Sequence, residues 1–329
     1  MKYPVDPFFP TPDEDHTYLN ELANLPIRPI FIMGLHRSGT TFLYDCMAKS
    51  FPVAHLTLYH LMYFDRLLYN HHHNSEEQDK NRLNQCFKAM GITDRNIDGT
   101  RIDADAVEEY GFLLRKKSGS FKLSEQNTVL FSQLCRKLIA VEPGSQAVLL
   151  KNPWDTGNAQ SILARFPDAR FIYIRREPIA VLNSMLNALL AYLEGPQKYL
   201  EMLLDTGNGR RGYRTGYCAW QMLRGFRAIV GKKLTSLAGR SLLAKDLAKQ
   251  VAIYQAEIAS MPSSHAIELD YAELIADPSA AMHKLQPLLN IDLCATPSDM
   301  TVRQRHNLNP ALVNYQPQLS AILKAAHPS

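Results

Sequence analysis

Short apolar runs alternate with amphipathic segments along most of the chain. The run PIFIMG at 29–34 is apolar and breaks at a glycine, which predicts a buried strand. A polar loop follows, and the next apolar residues recur at helical spacing, which predicts a helix over 40–49. Further apolar runs predict four more strands, which begin near Val53, Gln146, Arg170 and His265.

Helical patterns fill the intervals between these strands. They predict helices over 124–141 and 179–193, and another that contains Glu108, Glu109 and Tyr110. The histidines at 71–73 are predicted to lie in a polar loop instead. Strands that alternate with helices imply an α/β fold, with a mostly parallel sheet covered on both faces.

The chain is predicted to form one large domain behind a short arm. Residues 1–28 are rich in proline and predict a surface arm with one short helix. Residues 29–329 are predicted to form a single domain with helical insertions at about 70–145 and 195–262, the second made of three helical segments. A composition of 46% hydrophobic residues excludes a disordered protein.

Charge and cysteine content narrow the class of protein further. A net charge of +4 without a clustered basic stripe suits a small anionic ligand and argues against nucleic acid as a partner. Five dispersed cysteines without a CxxC pair argue against disulfides and against a zinc site. The N-terminus lacks the apolar run of a signal peptide, and no segment is long enough to span a membrane. These observations predict a cytoplasmic protein.

The loop after the first strand has the spacing of a phosphate-binding loop. In GLHRSGTT at 34–41 the glycines lie five residues apart and precede two hydroxyl residues, as in GxxxxGK[ST]. Such loops turn backbone N–H groups toward an anion at the N-terminus of a helix. Thr40 occupies the position of the lysine that nucleoside triphosphatases use. Arg37 supplies a planar guanidinium within the loop instead.

These residues resemble those of sulfotransferases that use 3′-phosphoadenosine 5′-phosphosulfate (PAPS). GLHRSGTT is similar to the G-x-x-R-S-G-T-T loops of bacterial members and of protein-tyrosine sulfotransferases. A second motif is similar too: the strand ending LKNP, then FPDARFIYIRREP, with Arg176 and Ser184 eight residues apart. The late stretch IELDYAEL at 267–274 matches more weakly. The resemblance spans 29 to about 290 and implies a three-layer fold like that of P-loop nucleotide triphosphatases.

The resemblance assigns roles to particular residues. It implies that the 5′-phosphosulfate is bound by the loop, through Arg37, Ser38, Gly39, Thr40 and Thr41. It implies further that Arg176 and Ser184 hold the 3′-phosphate, with Arg175 as the rival arginine. Lys151 ends a strand, where open α/β sheets place ligand chemistry, and with Arg37 it is the candidate for stabilising charge on the sulfuryl group.

No metal ion is expected, because side-chain cations can take the place of magnesium around a phosphosulfate. The histidines at 71–73 do not change this expectation. Three adjacent histidines on regular structure cannot all face one ion.

The acceptor hydroxyl must lose a proton, so a base is needed. His60 is the first candidate, because imidazole titrates near neutral pH and the family places a base shortly after the helix of the phosphate loop. His55 and Glu109 are its competitors. Asp155 stands where many bacterial relatives have histidine, which leaves its role open, as does the strip from Arg303 to His306.

Taken together, the sequence predicts a PAPS-dependent sulfotransferase that releases PAP and acts on a hydroxyl of a small molecule, glycan or peptide. Two rival functions stay open: a small-molecule kinase on the same fold, and a nucleotide-binding scaffold without activity. Thr40 and the lack of an evident acidic pair for magnesium argue against the kinase. Neither the acceptor nor the oligomeric state is predicted by the sequence.

Overall fold

A parallel β-sheet forms the centre of the molecule in the computed structural model, which describes residues 13–95, 97, 101–205, 213–295 and 307–326. Five strands are found in these ranges, and all four pairings between them are parallel, in the order β2-β3-β1-β4-β5. They are β1 (Pro29–Gly34), β2 (Val53–His55), β3 (Ala147–Lys151), β4 (Arg170–Arg175) and β5 (Ala266–Asp270). The predicted α/β class and strand positions are confirmed.

Helices follow or connect these strands throughout the described chain. They are α1 (Thr40–Ser50), α2 (Leu58–Met62), α3 (Leu67–His73), α4 (Glu76–Met90), α5 (Tyr110–Ser118), α6 (Thr128–Val141), α7 (Ala159–Arg165), α8 (Pro178–Tyr192), α9 (Lys198–Leu204), α10 (Arg214–Ser260), α11 (Tyr271–Ala276), α12 (Pro278–Leu289) and α13 (Gln316–Ala326). Gly231, at φ 80° and ψ 169°, breaks α10 into two helices, so the predicted three segments after residue 195 are found.

Successive residues of β1 belong to different hydrophobic cores. Phe31 and Met33 pack with residues of α6, α8 and α10, whereas Ile30 and Ile32 pack with residues of α1 and α12. Because neighbouring side chains of a strand point to opposite faces, the sheet is covered on both sides. A third cluster joins α2, α4, α5 and α9, so the helical insertions have a core of their own.

Three local predictions differ from the structure. Residues 71–73 complete α3 instead of forming a loop, because Asn74 in the left-handed region ends the helix one residue later. Glu108 and Glu109 lie before α5 and not within it. The arm is packed where it is described, since Asp15 is fully buried and pairs with the buried Lys137 at 2.7 Å.

Two further predictions concern other parts of the chain. The strip from Arg303 to His306 lies outside the described residues. Within the described ranges, no helix combines the length and the apolar character that crossing a membrane requires.

Candidate active site

A cleft of about 1080 Å³ opens where the sheet's parallel strands end. Its walls come from the β1–α1 loop, the start of α5, the β4–α8 junction, α9 and the β5–α11 junction. Open α/β sheets bind ligands at this edge, because the loops that follow the strands meet there. The cleft is therefore the candidate active site.

The β1–α1 loop takes the backbone conformation of an anion-binding turn. Arg37 lies in the left-handed region at φ 72°, and Gly39 follows at φ 103° as the residue before α1. Ser38 closes the turn, since its backbone N–H and its hydroxyl both donate to the carbonyl of Leu35, at 3.1 and 2.7 Å. A side chain at residue 39 does not fit: its Cβ would lie 2.3 Å from the ring of Tyr271.

Arg37, Ser184 and Arg176 are brought together at this loop. The Arg37 Nε donates to the Ser184 Oγ at 3.1 Å, and the Arg176 Nη1 donates to the Arg37 carbonyl oxygen at 3.0 Å. The Arg176 guanidinium also lies over the Tyr271 ring, 4.3 Å from its centroid. Burial lowers the pKa of Arg176. The cleft thus brings together two guanidinium groups and a hydroxyl from distant parts of the chain, groups that are suited to binding anions.

Lys151 is buried behind the cleft lining, where it contacts two residues that line the cleft. Its side chain is 1% exposed, and its Nζ lies 3.2 Å from the Glu109 Oε1 and donates to the Thr41 Oγ1 at 3.0 Å. Glu109 and Thr41 both line the cleft. A buried lysine needs such partners, because an unpaired charge is costly away from water. The pairing places the ammonium group against Thr41, at the start of α1.

His60, the first candidate for the base, lies outside the residues that line the cleft. It is buried in α2, where its Nδ1 accepts a hydrogen bond from the backbone N–H of Thr57 at 3.2 Å and forms a capping box with that residue. Burial lowers its pKa to about 3. His55 is also absent from the cleft lining, and its Nδ1 is 3.8 Å from Glu142. Of the three candidate bases, only Glu109 lines the cleft.

Asp155 is a buried residue whose carboxylate holds neighbouring chain segments together. Its carboxylate is fully buried and accepts hydrogen bonds from the Tyr110 hydroxyl at 2.5 Å, the Asn152 amide at 2.6 Å and the Asn158 amide at 2.9 Å. Tyr110 directly follows Glu109, and Asn152 directly follows Lys151. Asp155 therefore fixes the two chain segments that place Glu109 and Lys151 together.

His36 is a cleft residue that the sequence analysis did not single out. Its ring meets the edge of Trp154 at a centroid distance of 5.1 Å, and burial lowers its pKa, so the imidazole is neutral at neutral pH. Its position within the phosphate loop GLHRSGTT could have indicated this place in the cleft from the sequence alone. Asp45, one turn after Thr41 on α1, also lines the cleft.

One part of the cleft wall is aromatic and aliphatic. It includes Phe112, Trp154, Tyr199, Leu200 and Leu203. The buried carboxylate of Glu108 lies among them and accepts hydrogen bonds from the Arg95 Nη2 and the Tyr199 hydroxyl. Within the described residues, no group of three His, Cys, Asp or Glu side chains is placed to hold a metal ion.

Comparison with known proteins gives one family and a fold. Residues 29–224 match the model of a family described as the sulfotransferase family. The sulfotransferase STF1 of Mycobacterium tuberculosis H37Rv has a similar structure, with a TM-score of 0.57 at 16% identity over 95% of this chain and 80% of that one. STF9 of Mycobacterium avium is also similar, with a TM-score of 0.54 at 15% identity over 95% and 73%. Comparison with curated protein sequences finds no match.

Proposed function

The chain belongs to the sulfotransferase family, and from that premise we propose that it transfers the sulfuryl group of PAPS to a hydroxyl group of an acceptor. The observation that carries the proposal is the meeting of Arg37, Ser184 and Arg176 at a phosphate loop that lacks the usual lysine. Two guanidinium groups and a hydroxyl are suited to a nucleotide with separate 5′ and 3′ anionic groups.

The loop and Arg176 would bind different anionic groups of the nucleotide. The backbone N–H groups at the start of α1 and the Arg37 side chain would hold the 5′-phosphosulfate, because a helix N-terminus favours an anion. Arg176 and Ser184 would hold the 3′-phosphate. These residues supply cationic partners of their own, so the proposal includes no metal ion.

Glu109 and Lys151 are proposed to carry the transfer step. PAPS supplies a sulfur atom bonded to a phosphate oxygen that can leave. As the acceptor oxygen bonds to sulfur, Glu109 takes the proton of the hydroxyl, and the bond from sulfur to the bridging oxygen breaks with its electron pair going to PAP. Lys151, 3.2 Å from Glu109, would then balance the charge that develops on the leaving oxygen.

The acceptor is proposed to carry an apolar body beside its hydroxyl group. The aromatic and aliphatic part of the cleft wall, formed by Phe112, Trp154 and residues of α9, supports this. Such walls bury an apolar ligand while a few polar groups orient it. A glycan is less suited to this wall, because aromatic and aliphatic side chains cannot form hydrogen bonds with its many hydroxyl groups.

Ligand-induced stabilisation separates this function from the rival kinase. We expect PAP to raise the melting temperature in EDTA, whereas ATP with Mg²⁺ should have little effect, because Thr40 replaces the lysine that holds β- and γ-phosphates. A shift with ATP and Mg²⁺ but none with PAP would favour the kinase. Binding of PAP without any release of PAP from PAPS would favour the scaffold.

A further inference from the structure

The first half of α10 exposes an apolar stripe. Met222, Phe226 and Ile229 lie at i, i+4 and i+7 and therefore share one side of this helix, which we name the apolar face. They are 75%, 48% and 87% exposed, and Leu223 and Leu234 beside them are about half exposed. Single exposed apolar residues are ordinary on a protein surface, but a continuous helical stripe marks an interaction site.

The opposite side of this helix is fixed to the body of the protein. The Trp220 Nε1 donates to the Tyr192 carbonyl oxygen at 2.7 Å, and the Arg227 Nη1 donates to the Leu193 carbonyl oxygen at 2.9 Å. Gly231 then breaks the helix, so residues 214–230 form a separate segment, which we name the outer helix. Because these contacts hold its polar side, the apolar face points away from the other described residues.

The outer helix and its continuation are also strongly basic. From Arg214 to Lys245 the sequence has seven Lys and Arg and no Asp or Glu. This local run differs from the expectation, based on the whole composition, that the chain lacks a clustered basic stripe. A groove of about 520 Å³ beside the outer helix is lined by Arg224, Arg227 and Lys232. Its one acidic residue, Glu194, already pairs with Arg227 at 3.0 Å and with Lys232 at 3.8 Å.

We propose that the outer helix docks on the surface of an anionic lipid bilayer. An apolar helix face within a basic segment is the pattern of a helix that lies in the membrane interface, where apolar side chains enter the acyl boundary and the net positive charge of the segment is attracted to anionic lipid. A second copy of this chain is disfavoured on the same face, because it would bring the same positive charge. Nucleic acid would use the basic residues and leave Met222, Phe226 and Ile229 exposed.

Vesicle flotation tests the proposal without reference to sulfuryl transfer. The full chain is mixed with vesicles of phosphatidylcholine alone, or with phosphatidylglycerol at one third of the lipid. We expect at least about tenfold stronger binding to the anionic vesicles, and a loss of most of that difference in 0.5 M salt. Equal binding to both vesicles, or binding to neither, would overturn the proposal.

Two variants with matched controls locate the binding surface. Ile229→Glu should reduce binding about tenfold or more, whereas Val129→Glu, at an equally exposed position on α6, should not. Lys233→Glu, in the basic run just after the outer helix, should weaken binding to anionic vesicles more than Lys249→Glu, at an exposed lysine farther along α10 and outside the basic run. All four positions lie outside the cleft lining, so PAP stabilisation should be unchanged and serves as the measure of folding.

The remaining outcomes identify other occupants of the apolar face. If light scattering shows a dimer that Ile229→Glu dissociates, and vesicles are not bound, the face joins two copies of the chain and the membrane proposal is wrong. If Ile229→Glu and Val129→Glu bind vesicles equally, another surface contacts lipid. Failure of PAP to bind would contradict the proposed function alone, since vesicle binding does not depend on it.

Discussion

Neighbouring arginines at the end of β4 have different surroundings, and this makes them a matched pair. Arg176 enters the cleft and contacts the Arg37 carbonyl and the Tyr271 ring. Arg175 has a side chain that is 62% exposed, and it pairs with Glu268 and Asp270 on the surface. Of these two arginines, only Arg176 is therefore placed to contact a ligand in the cleft.

Arg176→Ala should weaken PAP by about 2–5 kcal/mol, the usual loss for a buried charged contact. It should weaken adenosine 5′-phosphosulfate much less, because that ligand has no 3′-phosphate. Titration calorimetry of both ligands checks this, with Arg175→Ala as the control that should leave both affinities within about threefold. Equal weakening of the two ligands by Arg176→Ala would mean that the residue supports the loop instead of the 3′-phosphate.

Glu109→Gln should lower the rate of PAP release from PAPS by about 10²–10⁴-fold while PAP affinity stays nearly constant. The amide keeps the size of the side chain but cannot take the proton. Hydrolysis of PAPS, in which water replaces the acceptor, provides the assay. His36→Asn is the comparison, because the neutral imidazole of His36 is another group in the cleft lining that can accept a proton. If His36→Asn and not Glu109→Gln abolishes the rate, the base is His36.

His60 should affect stability and its pH dependence instead of the rate. Its pKa is about 3 in the folded protein and near 6.5 when unfolded, so below pH 6.5 the unfolded chain binds a proton that the folded chain does not. Its contribution to the free energy of unfolding is complete above pH 6.5 and falls with pH toward 3, by at most about 1.4 kcal/mol per pH unit.

Urea denaturation at pH 7.5 and pH 5 measures this effect in two variants. His60→Ala should lower the free energy of unfolding at pH 7.5 by about 1–3 kcal/mol, since it removes the partner of the Thr57 N–H. His60→Gln preserves a capping box and should retain most of that stability while reducing the difference between the two pH values. A loss of turnover per folded molecule in His60→Gln would show that His60 takes part in the reaction.

At the scale of the element, the phosphate loop and α11 depend on each other. Gly39 has a positive φ and contacts the ring of Tyr271, on which Arg176 lies. Gly119 also has a positive φ, of 83°, but among the described residues no atom beyond its immediate backbone surroundings lies within 4 Å of a Cβ placed there. Substituting each glycine therefore distinguishes the cost of backbone strain, which both positions share, from the cost of a steric clash with Tyr271, which only Gly39 has.

Gly39→Ala should destabilise the protein more than Gly119→Ala, for which strain alone predicts about 1–2 kcal/mol. It should also weaken PAP, because Tyr271 must move and Arg176 with it, whereas Gly119→Ala should leave PAP affinity unchanged. Thermal unfolding and PAP titration of both variants provide the comparison. Similar PAP affinities for the two variants would show that Tyr271 does not position the anion site.

Elements with strong local patterns were predictable from sequence, and elements set by tertiary contacts were not. The β1 run and the helix over 40–49 match β1 and α1 because an apolar run and a helical repeat are local signals. The start of α5 after Glu109 depends on Asp155, 45 residues away from its partner Tyr110, so no local pattern indicates it. The same contact helps to place Glu109 beside Lys151, a pairing that no sequence pattern indicates, so the sequence favoured His60 on the titration range of imidazole and its position after the loop helix.

At the scale of the whole molecule, the parallel sheet assembles the site from distant segments. The hydrogen bond between Arg37 and Ser184 joins residues 147 positions apart, and that between Lys151 and Thr41 joins residues 110 positions apart. Parallel strands end at one edge, so the order β3-β1-β4-β5 brings their following loops together. Motif spacing could indicate the individual residues, but the fold determines which of them meet.

The most direct test of the account is transfer of ³⁵S from labelled PAPS into an extract of the source cells. The wild-type protein in EDTA should move the label into an organic product and release PAP in equal amount. Lys151→Ala should reduce that transfer by about 10²–10³-fold with PAP binding largely retained, because it removes a cation from the developing charge. If the wild-type protein binds PAP but moves no label into any product, or if label moves equally well without Lys151, the account is contradicted.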